Sequence, residues 1–215
     1  MRKNFNEELK KLKNEMLKMG CIVEETINNS IKALKEQDLK LAEKIREEDD
    51  NIDKLEVELE EMCTRLIALQ QPVAGDLRTI IAISKIATDL ERIGDHASNI
   101  AHMVLAIGEE PLIKPLIDIP RMTEIVTRRL KQSLDAFVDL DIELAQEVAQ
   151  EDEEVDILDE QILRELITFM LEDPSTIKQA IYLTFISRFL ERIGDHSTNI
   201  CERVLYMATG EREEY

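Results

Sequence analysis

The sequence predicts an all-α fold of two tandem, pseudo-symmetric three-helix bundles, with six long antiparallel helices. Three observations favour this fold. The 215 residues include only 6 Gly and 5 Pro, which is too few turn formers for sandwiches, barrels or doubly wound sheets. Apolar residues recur at helical spacing over stretches of about 30 residues. The chain also repeats itself, so one plan of elements serves both halves.

Two motifs carry the repeat. Leu90-Glu-Arg-Ile-Gly-Asp-His-Ala-Ser-Asn-Ile100 recurs as Leu190-Glu-Arg-Ile-Gly-Asp-His-Ser-Thr-Asn-Ile200, with nine identities in eleven at an offset of 100. Upstream, Glu48–Asp53 matches Glu151–Asp156 at an offset of 103. The three-residue difference falls in a Pro-containing stretch, and this is typical of a change in loop length.

The repeat predicts two domains, a first over residues 1–110 and a second over residues 117–215. Pro111, Pro115 and Pro120 lie at the joint between them. Proline cannot continue a helix interior, so the joint is either a short linker or an interrupted helix start.

Each domain is expected to form three helices. The first is about 35 residues long and has an inward stripe, which consists of Phe5, Leu9, Leu12, Met16, Met19, Val23, Ile27, Ile31 and Leu34. Asp38 is the expected N-cap of the second helix, which Pro72 and Gly75 end. The third helix covers about residues 76–108. Three antiparallel helices bury stripes that one helix alone leaves exposed.

Acidic residues interrupt the inward stripe at matching points. In the second helix, the apolar spacing predicts an inward side chain at position 49, which is Asp49. In the fifth helix the same spacing leads to Asp152. Each is followed four residues later by another carboxylate, Asp53 or Asp156. Residues four apart share a helix face, so each repeat presents a pair of acids.

The third and sixth helices add polar residues at the same spacing, namely Glu91, Asp95 and Asn99, and Glu191, Asp195 and Asn199. Like charges at this spacing repel, and half-buried carboxylates lose hydration, so the empty arrangement is destabilising. A multivalent cation between two helices offsets that cost. Carboxylate, amide and imidazole groups suit Mg²⁺, Mn²⁺ or iron, and several carboxylates can bridge two or more ions.

The neighbouring histidines leave several roles open. His96 and His196 directly follow an acid, and each could bind metal, support a ligand through a hydrogen bond or stay exposed. The acids also have a plainer interpretation, a solvated face paired with Lys and Arg. Their recurrence in both repeats favours the metal site.

Composition restricts the partners and the location. A formal net charge of −19 argues against nucleic-acid binding, since a polyanion would be repelled. The longest uncharged stretches are about half a bilayer span, so no membrane insertion is expected. Cys21, Cys63 and Cys201 lack CxxC spacing. Cys21 and Cys63 lie near apolar positions, and buried, reduced thiols there suit a cytoplasmic location.

The chain lacks the motifs of several enzyme classes, including P-loop, dinucleotide-binding, Gly-x-Ser-x-Gly and zinc-protease motifs. A ferritin-like di-iron bundle needs Glu-x-x-His, but the third residue after Glu91 is Gly94 and His96 is the fifth. We therefore predict a non-enzymatic protein. Two alternatives stay open, a carboxylate-bridged metalloenzyme on a helical bundle and a metal-free helical scaffold.

The doubled Leu-Glu-Arg-Ile-Gly-Asp motif, the Asp-x-x-x-Asp pairs and the loop Gln71-Pro-Val-Ala-Gly-Asp-Leu-Arg78 resemble the PhoU family of phosphate-uptake regulators over the whole chain. The resemblance implies a cytoplasmic homodimer that negatively regulates phosphate uptake and phosphate-regulon signalling. Its implied partners are the ATPase subunit of the phosphate ABC transporter and a sensor histidine kinase. It also implies multinuclear metal sites, with iron in some members and Mg²⁺ or Mn²⁺ in others.

By position, the resemblance implies one set of metal ligands in each repeat. These are Asp49, Asp53, Glu91 and Asp95 in the first, and Asp152, Asp156, Glu191 and Asp195 in the second. Possible additional or supporting residues are Asn99, Asn199, His96 and His196. The second loop, Glu172-Asp-Pro-Ser-Thr176, departs from the family pattern, so equal partner contacts by both repeats are not implied.

Overall fold

The computed structural model describes residues 2–150 and 153–211. Over these ranges the chain is helical and contains no strand, which confirms the all-α prediction. The helices are α1 (Arg2–Glu36), α2 (Leu39–Gln70), α3 (Ala74–Ile107), α4 (Asp118–Asp139), α5 (Ile142–Gln150), α6 (Glu153–Glu172) and α7 (Ile177–Thr209). A 3-10 turn, Pro174–Thr176, precedes α7. The expected middle helix of the second repeat is described as α5 and α6.

The predicted stripe of α1 forms one side of the hydrophobic core. Eight of its nine residues are buried, and Leu9 packs against them half-buried. Asp38 caps α2 as expected, because its side chain accepts the Leu41 amide at 3.0 Å. Asp141 caps α5 in the same way, accepting the Leu144 amide at 3.0 Å. An aspartate cap satisfies an amide that the first helical turn leaves open, so both repeats start their second helix by the same device.

The connection between α2 and α3 is shorter than expected. Gln71 adopts a left-handed conformation with φ of 46° and bonds back to the Ile67 carbonyl, which closes α2. Pro72 follows, and α3 already begins at Ala74. The prediction that Gly75 helps to end α2 is therefore wrong, since Gly75 lies in the first turn of α3. A left-handed residue followed by proline suffices to reverse the chain.

The helices form two bundles, one from each repeat, and the bundles pack against each other through α3 and α7. In the first repeat α1, α2 and α3 pack on one another, and in the second α4, α5 and α6 pack on α7. Helices α3 and α7 lie against each other along much of their length, and α1 contacts α4. The tandem arrangement is confirmed, while the domain limits at 110 and 117 stay a prediction. The two motif-bearing helices are therefore neighbours at the centre of the molecule.

The joint between the repeats is a linker fastened to α7. The Gln179 side chain accepts the Ile113 amide at 2.6 Å and donates to the Pro111 carbonyl at 3.1 Å. Pro120 lies in the first turn of α4, where no amide donor is needed. These bonds satisfy backbone groups that would otherwise lie unpaired in an irregular segment.

The cysteines divide into buried and exposed positions. Cys63 and Cys201 are buried, and burial raises the pKa of each thiol to about 12. Cys21 is exposed, so the prediction of a buried thiol at this position is wrong. Its neighbour Gly20 faces α4, where it packs against Leu134, and a step of one residue turns a side chain by about 100° toward solvent. Among the described residues, no helix is long and apolar enough to cross a bilayer.

Candidate metal centre

A close contact between α2 and α3 positions the acids of the first repeat. Ile52 of α2 packs on Gly94 of α3, where an added Cβ would lie 2.8 Å from the Ile52 Cδ1 atom. Asp53 follows Ile52 directly, and Glu91 and Asp95 lie on either side of Gly94 along α3. Because glycine lets the two helices approach, carboxylates from both come together.

Three carboxylates converge at this contact, and we name Asp53, Glu91 and Asp95 the first acid cluster. One oxygen from each lies within 4.8 Å of the others. Glu91 and Asp95 are half-buried and Asp53 is exposed, so the cluster is open to solvent on the side of α2. Oxygens around one Mg²⁺ ion, each about 2.1 Å from it, lie up to about 4.2 Å apart. Small side-chain rotations would therefore bring the three within reach of one ion.

Asp49 lies beside the first acid cluster, one helical turn earlier on α2. It is half-buried, as expected for an inward position, and its carboxylate is hydrogen-bonded to Ser98 of α3. The Ser98 hydroxyl also accepts a bond from Arg46 Nη1 at 3.3 Å. Asp49 thus adds a fourth carboxylate near the cluster, held by a serine and a partly neutralising arginine.

Burial and mutual repulsion disfavour the ionised form of these carboxyl groups when no cation is bound. Burial raises the pKa of Glu91 and of Asp95, and repulsion from neighbouring carboxylates raises both further. Burial likewise raises the pKa of Asp49, against the opposing effect of its bond to Ser98. A raised carboxyl pKa means that the folded chain disfavours the negative charge. A hard cation relieves that repulsion, so the donor set fits Mg²⁺ or Mn²⁺.

An exposed arginine compensates part of this charge. Arg92 places Nε 3.4 Å from Glu91 Oε2 and Nη1 3.5 Å from Asp95 Oδ2. Arg192 makes the matching pairs in the second repeat, at 3.5 and 3.2 Å. These two residues are therefore salt-bridge partners of the motif acids. Such exposed pairs are weak, typically about 0–1 kcal/mol. They therefore offset only a small part of the repulsion between the carboxylates.

The second repeat arranges its acids differently. Glu191 is buried, Asp195 is half-buried and Asp156 is exposed, while Asp152 lies outside the described residues. Burial raises the pKa of Glu191, as it does for Glu91. Within residues 2–150 and 153–211, no second group of three acids meets the distance criterion of the first acid cluster. Among the described acids, Asp156, Glu191 and Asp195 are therefore not grouped as closely as Asp53, Glu91 and Asp95.

The motif histidines lie where α3 meets α7. The rings of His96 and His196 are 5.7 Å apart between centroids, and His96 also stacks on Phe189 at 5.8 Å. Burial lowers the pKa of His96 to about 4, with repulsion from His196 as a smaller cause, so its imidazole is neutral at pH 7. This pair contributes to the packing between the two repeats.

The asparagines of the motif also occupy this region. Asn199 Nδ2 donates to Asp89 Oδ1 at 3.3 Å, and the same oxygen lies 3.0 Å from His196 Nδ1. Asn99 is half-buried on α3. A supporting role for these residues at a metal stays a prediction. The contacts of His196 and Asn199 with Asp89 tie α7 to α3.

Sequence reasoning missed three charged residues that the structure places near the motifs. Asp89 is buried at the repeat interface, but the matching position in the second repeat is Phe189, so the repeat comparison does not reveal it. Arg129 is fully buried on α4. It follows the inward residues Met122 and Val126 at helical spacing, and this interruption of the stripe is a signal that could have revealed it. The third is Arg188, on α7.

Comparisons with known proteins support one family. The family model of the PhoU domain matches residues 16–104 and again residues 119–204. A phosphate-specific transport system accessory protein PhoU homolog of Aquifex aeolicus is 45% identical over 95% of this chain and 92% of its own length. The homolog of the same name from Pseudomonas aeruginosa is 42% identical over 96% of this chain and 86% of its own length.

Two crystal structures share the whole fold. PhoU from Pseudomonas aeruginosa superposes with a TM-score of 0.92 at 41% identity, covering 96% of this chain and 100% of that one. The phosphate transport system regulatory protein PhoU from Streptococcus pneumoniae also gives 0.92, at 34% identity, covering 98% and 100%. With both repeats matched by the family model and the full fold shared, the chain belongs to the PhoU family.

Proposed function

We propose that this protein is a metal-binding, non-enzymatic regulator of phosphate uptake. In this proposal it lowers phosphate-regulon signalling when phosphate is plentiful. It acts in the cytoplasm as a homodimer, between the ATPase subunit of a phosphate ABC transporter and a sensor histidine kinase. Its relatives are named accessory proteins of phosphate transport, which supports a regulator rather than an enzyme. The two repeats, residues 1–110 and 117–215, are proposed as the structural units of the adaptor.

The observation that carries the metal proposal is the first acid cluster. Its three carboxylates come from two helices, are partly desolvated and repel one another. Asp53, Glu91 and Asp95 would hold the ion, with Asp49 close enough to assist. A bound divalent cation would supply positive charge between α2 and α3. By family resemblance, the acids of the second repeat are proposed as a second site.

Two measurements test the metal part. Protein purified without an affinity tag or chelator is expected to contain Mg²⁺, Mn²⁺ or iron by elemental analysis. Removing the metal should lower the melting temperature by several degrees, because a ligand bound to the native state stabilises it. An unchanged melting curve after verified metal removal would contradict the bridging argument. Size-exclusion chromatography with light scattering should give twice the 24.8 kDa chain mass.

A genetic experiment tests the regulatory part. Deleting the gene should raise an alkaline-phosphatase reporter in phosphate-replete cells, and the wild-type gene should restore repression. The Asp95→Asn variant should restore it poorly if metal is needed. Glu58→Gln is the matched control, since it removes one charge from an exposed position on α2. If the reporter stays fully repressed in the deletion strain, and the genome holds no second copy of the gene, the regulatory assignment is wrong.

A further inference from the structure

Six large apolar residues lie exposed on the hairpin that α6 and α7 form, and we name this set the hairpin face. Each residue is at least 39% exposed, and they are Leu163, Ile167, Leu171, Ile177, Ile181 and Phe185. The two helices are joined by the short 3-10 turn. Residues four apart share a helix face, so three of the six form a stripe on α6 and three form a stripe on α7.

A polar contact shows that the two stripes lie side by side. Asp159 lies four residues before Leu163 on α6, and Arg188 lies three residues after Phe185 on α7. Each therefore continues the stripe of its own helix. Arg188 Nη1 lies 3.3 Å from Asp159 Oδ2, and the Ser187 hydroxyl donates to the same carboxylate. The two stripes thus adjoin on one surface, between this contact and the 3-10 turn.

The aromatic end of the hairpin face is supported from behind. The Phe185 ring stacks on Phe189 with 6.4 Å between centroids, and Phe189 stacks in turn on His96 of α3. A side chain held by such contacts loses little conformational freedom when another surface covers it. The face is therefore preorganised at this end.

The first repeat has polar residues at three of the six matching positions. At the offset of 103 for the middle helices, Glu60 and Thr64 match Leu163 and Ile167. At the offset of 100 for the last helices, Lys85 matches Phe185. Glu60, Thr64 and Lys85 are all exposed. Because the same pair of helices forms with polar residues at these positions, packing within a repeat does not account for the apolar ones.

The exposed area fits an interface between proteins. A fully exposed large apolar residue presents roughly 200 Å², so exposures of 39–80% leave roughly 600 Å² on the hairpin face. A patch of this size lies at the upper end of those found on monomeric proteins. A standard interface buries about 800 Å² per partner, and in homodimers about 65% of it is apolar. The hairpin face alone supplies that apolar area.

The charges around the hairpin face favour a second copy of this chain as its occupant. The exposed charged residues of segment 160–188 balance, and they are Glu160, Arg164, Glu172, Asp173, Lys178 and Arg188. Glu165 is half-buried and paired with Lys114. The surroundings are therefore neutral, whereas the whole chain carries a formal net charge of −19.

This neutrality distinguishes the occupants. Two chains with so large a like charge repel one another, which normally keeps them apart, but a neutral surface lets two copies meet. An anionic membrane would be matched by a cluster of basic residues. A strongly charged protein partner would be matched by a surface of the opposite charge. The balanced surroundings of the hairpin face offer neither.

We propose that two copies of this chain form a twofold-symmetric dimer through the hairpin face. This inference rests on the proposed homodimer and names its surface. In a twofold interface the same patch meets itself. Helices α6 and α7 of the two copies would then pack as four helices that bury both sets of stripes between them, as in a helix bundle.

The test measures the mass of the full-length chain by light scattering over a dilution series. Ile181→Asp places a carboxylate within the hairpin face, at a residue that is 41% exposed in one chain. The twofold interface would bury this charge twice, so we expect the dimer dissociation constant to rise about a hundredfold or more. Ile81→Asp is the matched control, because Ile81 is the corresponding residue of α3 and is 40% exposed. It should leave the dissociation constant unchanged.

Leu171→Arg tests the other helix with a charge of the opposite sign. Leu171 is 80% exposed, so this change should leave the melting temperature of the isolated chain unaltered, and it decides the test if Ile181→Asp does not fold. The expected rise in the dissociation constant is again about a hundredfold or more. Aspartate adds to the net negative charge of the chain and arginine reduces it. Dissociation by both variants therefore supports apolar burial over a general charge effect.

The remaining outcomes separate this inference from the proposed homodimer. A dimer that survives either substitution in a folded chain overturns the hairpin face as the interface and leaves the homodimer in place at another surface. Equal weakening by Ile81→Asp and Ile181→Asp overturns it as well. A wild-type chain that is monomeric at every concentration overturns both the interface and the proposed homodimer.

Discussion

Replacing Gly94 with alanine should destabilise the protein, whereas the same change at Gly194 should not. At Gly94 the new Cβ would lie 2.8 Å from Ile52 Cδ1 and 3.1 Å from Ile52 Cγ2, and both distances are too short for carbon atoms. At Gly194 the nearest atoms are Arg129 Nη1 at 3.4 Å and Val155 Cγ1 at 3.6 Å. The residue matching Ile52 is Val155, which lacks the Cδ1 methyl group.

The magnitude follows from two opposing effects. Alanine is favoured over glycine in a helix interior by about 1 kcal/mol. Overpacking a filled core costs about 1–3 kcal/mol, and Ile52 is only 3% exposed, so it has little room to move. We expect Gly94→Ala to lose about 1 kcal/mol net, and Gly194→Ala to gain up to about 1 kcal/mol. For a chain of this size, 1 kcal/mol moves the melting temperature by about 2–4 °C.

Thermal melting in chelator measures both variants without a contribution from metal. The midpoints should shift in opposite directions, down for Gly94→Ala and up or unchanged for Gly194→Ala. A second substitution, Ile52→Val, removes Cδ1, the nearer of the two atoms that the new Cβ would meet. It should cost less stability in the Gly94→Ala background than in the wild type, which is the coupling that a double-mutant cycle isolates.

The same substitution should also weaken metal binding. Because Ile52 precedes Asp53, pushing α2 away from α3 widens the first acid cluster, and Gly94→Ala should bind Mn²⁺ more weakly than Gly194→Ala. Equal shifts of the two melting temperatures in the same direction would refute the packing argument. So would full additivity of Gly94→Ala and Ile52→Val, since it would mean that the two side chains do not meet.

Three other expectations concern charge and reactivity. The folded chain raises the pKa of Asp49, Glu91 and Asp95, so in the metal-free protein their contribution to stability is present at low pH and is lost as pH rises through the folded pKa values. Urea melts between pH 4 and pH 7 in chelator should show it, and a contribution from these groups that grows with pH would contradict it. In the metal-free protein, Asp49→Asn should raise the stability or leave it unchanged. In the metal-loaded protein, the same change should lower the stability. Equal destabilisation of both forms would indicate a structural salt bridge instead. A thiol reagent at pH 7 should label Cys21 quickly and the two buried cysteines slowly. The native protein should therefore show one fast-reacting thiol per chain.

Most of the fold could be predicted from residue spacing. The stripe of α1, the cap at Asp38 and the repeat of the third helix are local patterns, and the structure agrees with them. The errors were also local. Gly75 signalled a turn that Gln71 and Pro72 complete earlier, and Cys21 was assigned to an apolar face that its neighbour occupies. Both errors lie within two residues of a boundary or a stripe, where spacing is least decisive.

The candidate site could be predicted only in part. Spacing identified the acids of both repeats, because carboxylates at inward helical positions are conspicuous. It did not separate Asp49, which bonds to Ser98, from Asp53, which joins Glu91 and Asp95. That distinction depends on how α2 is rotated and shifted against α3, and one helix's periodicity carries no information about its neighbour.

The sequence by itself determined the helices, their order, the repeat and the faces on which acids lie. The tertiary structure alone decided which charges meet. Arg129 lies on a helix far along the chain from Thr198 but reaches its hydroxyl, and Arg188 closes on Asp159 across a helix pair. The physical reason is that a helix's pattern sets the direction of each side chain about one axis, whereas long side chains join partners on different axes. The balance of charge in each repeat therefore emerges only when the helices pack.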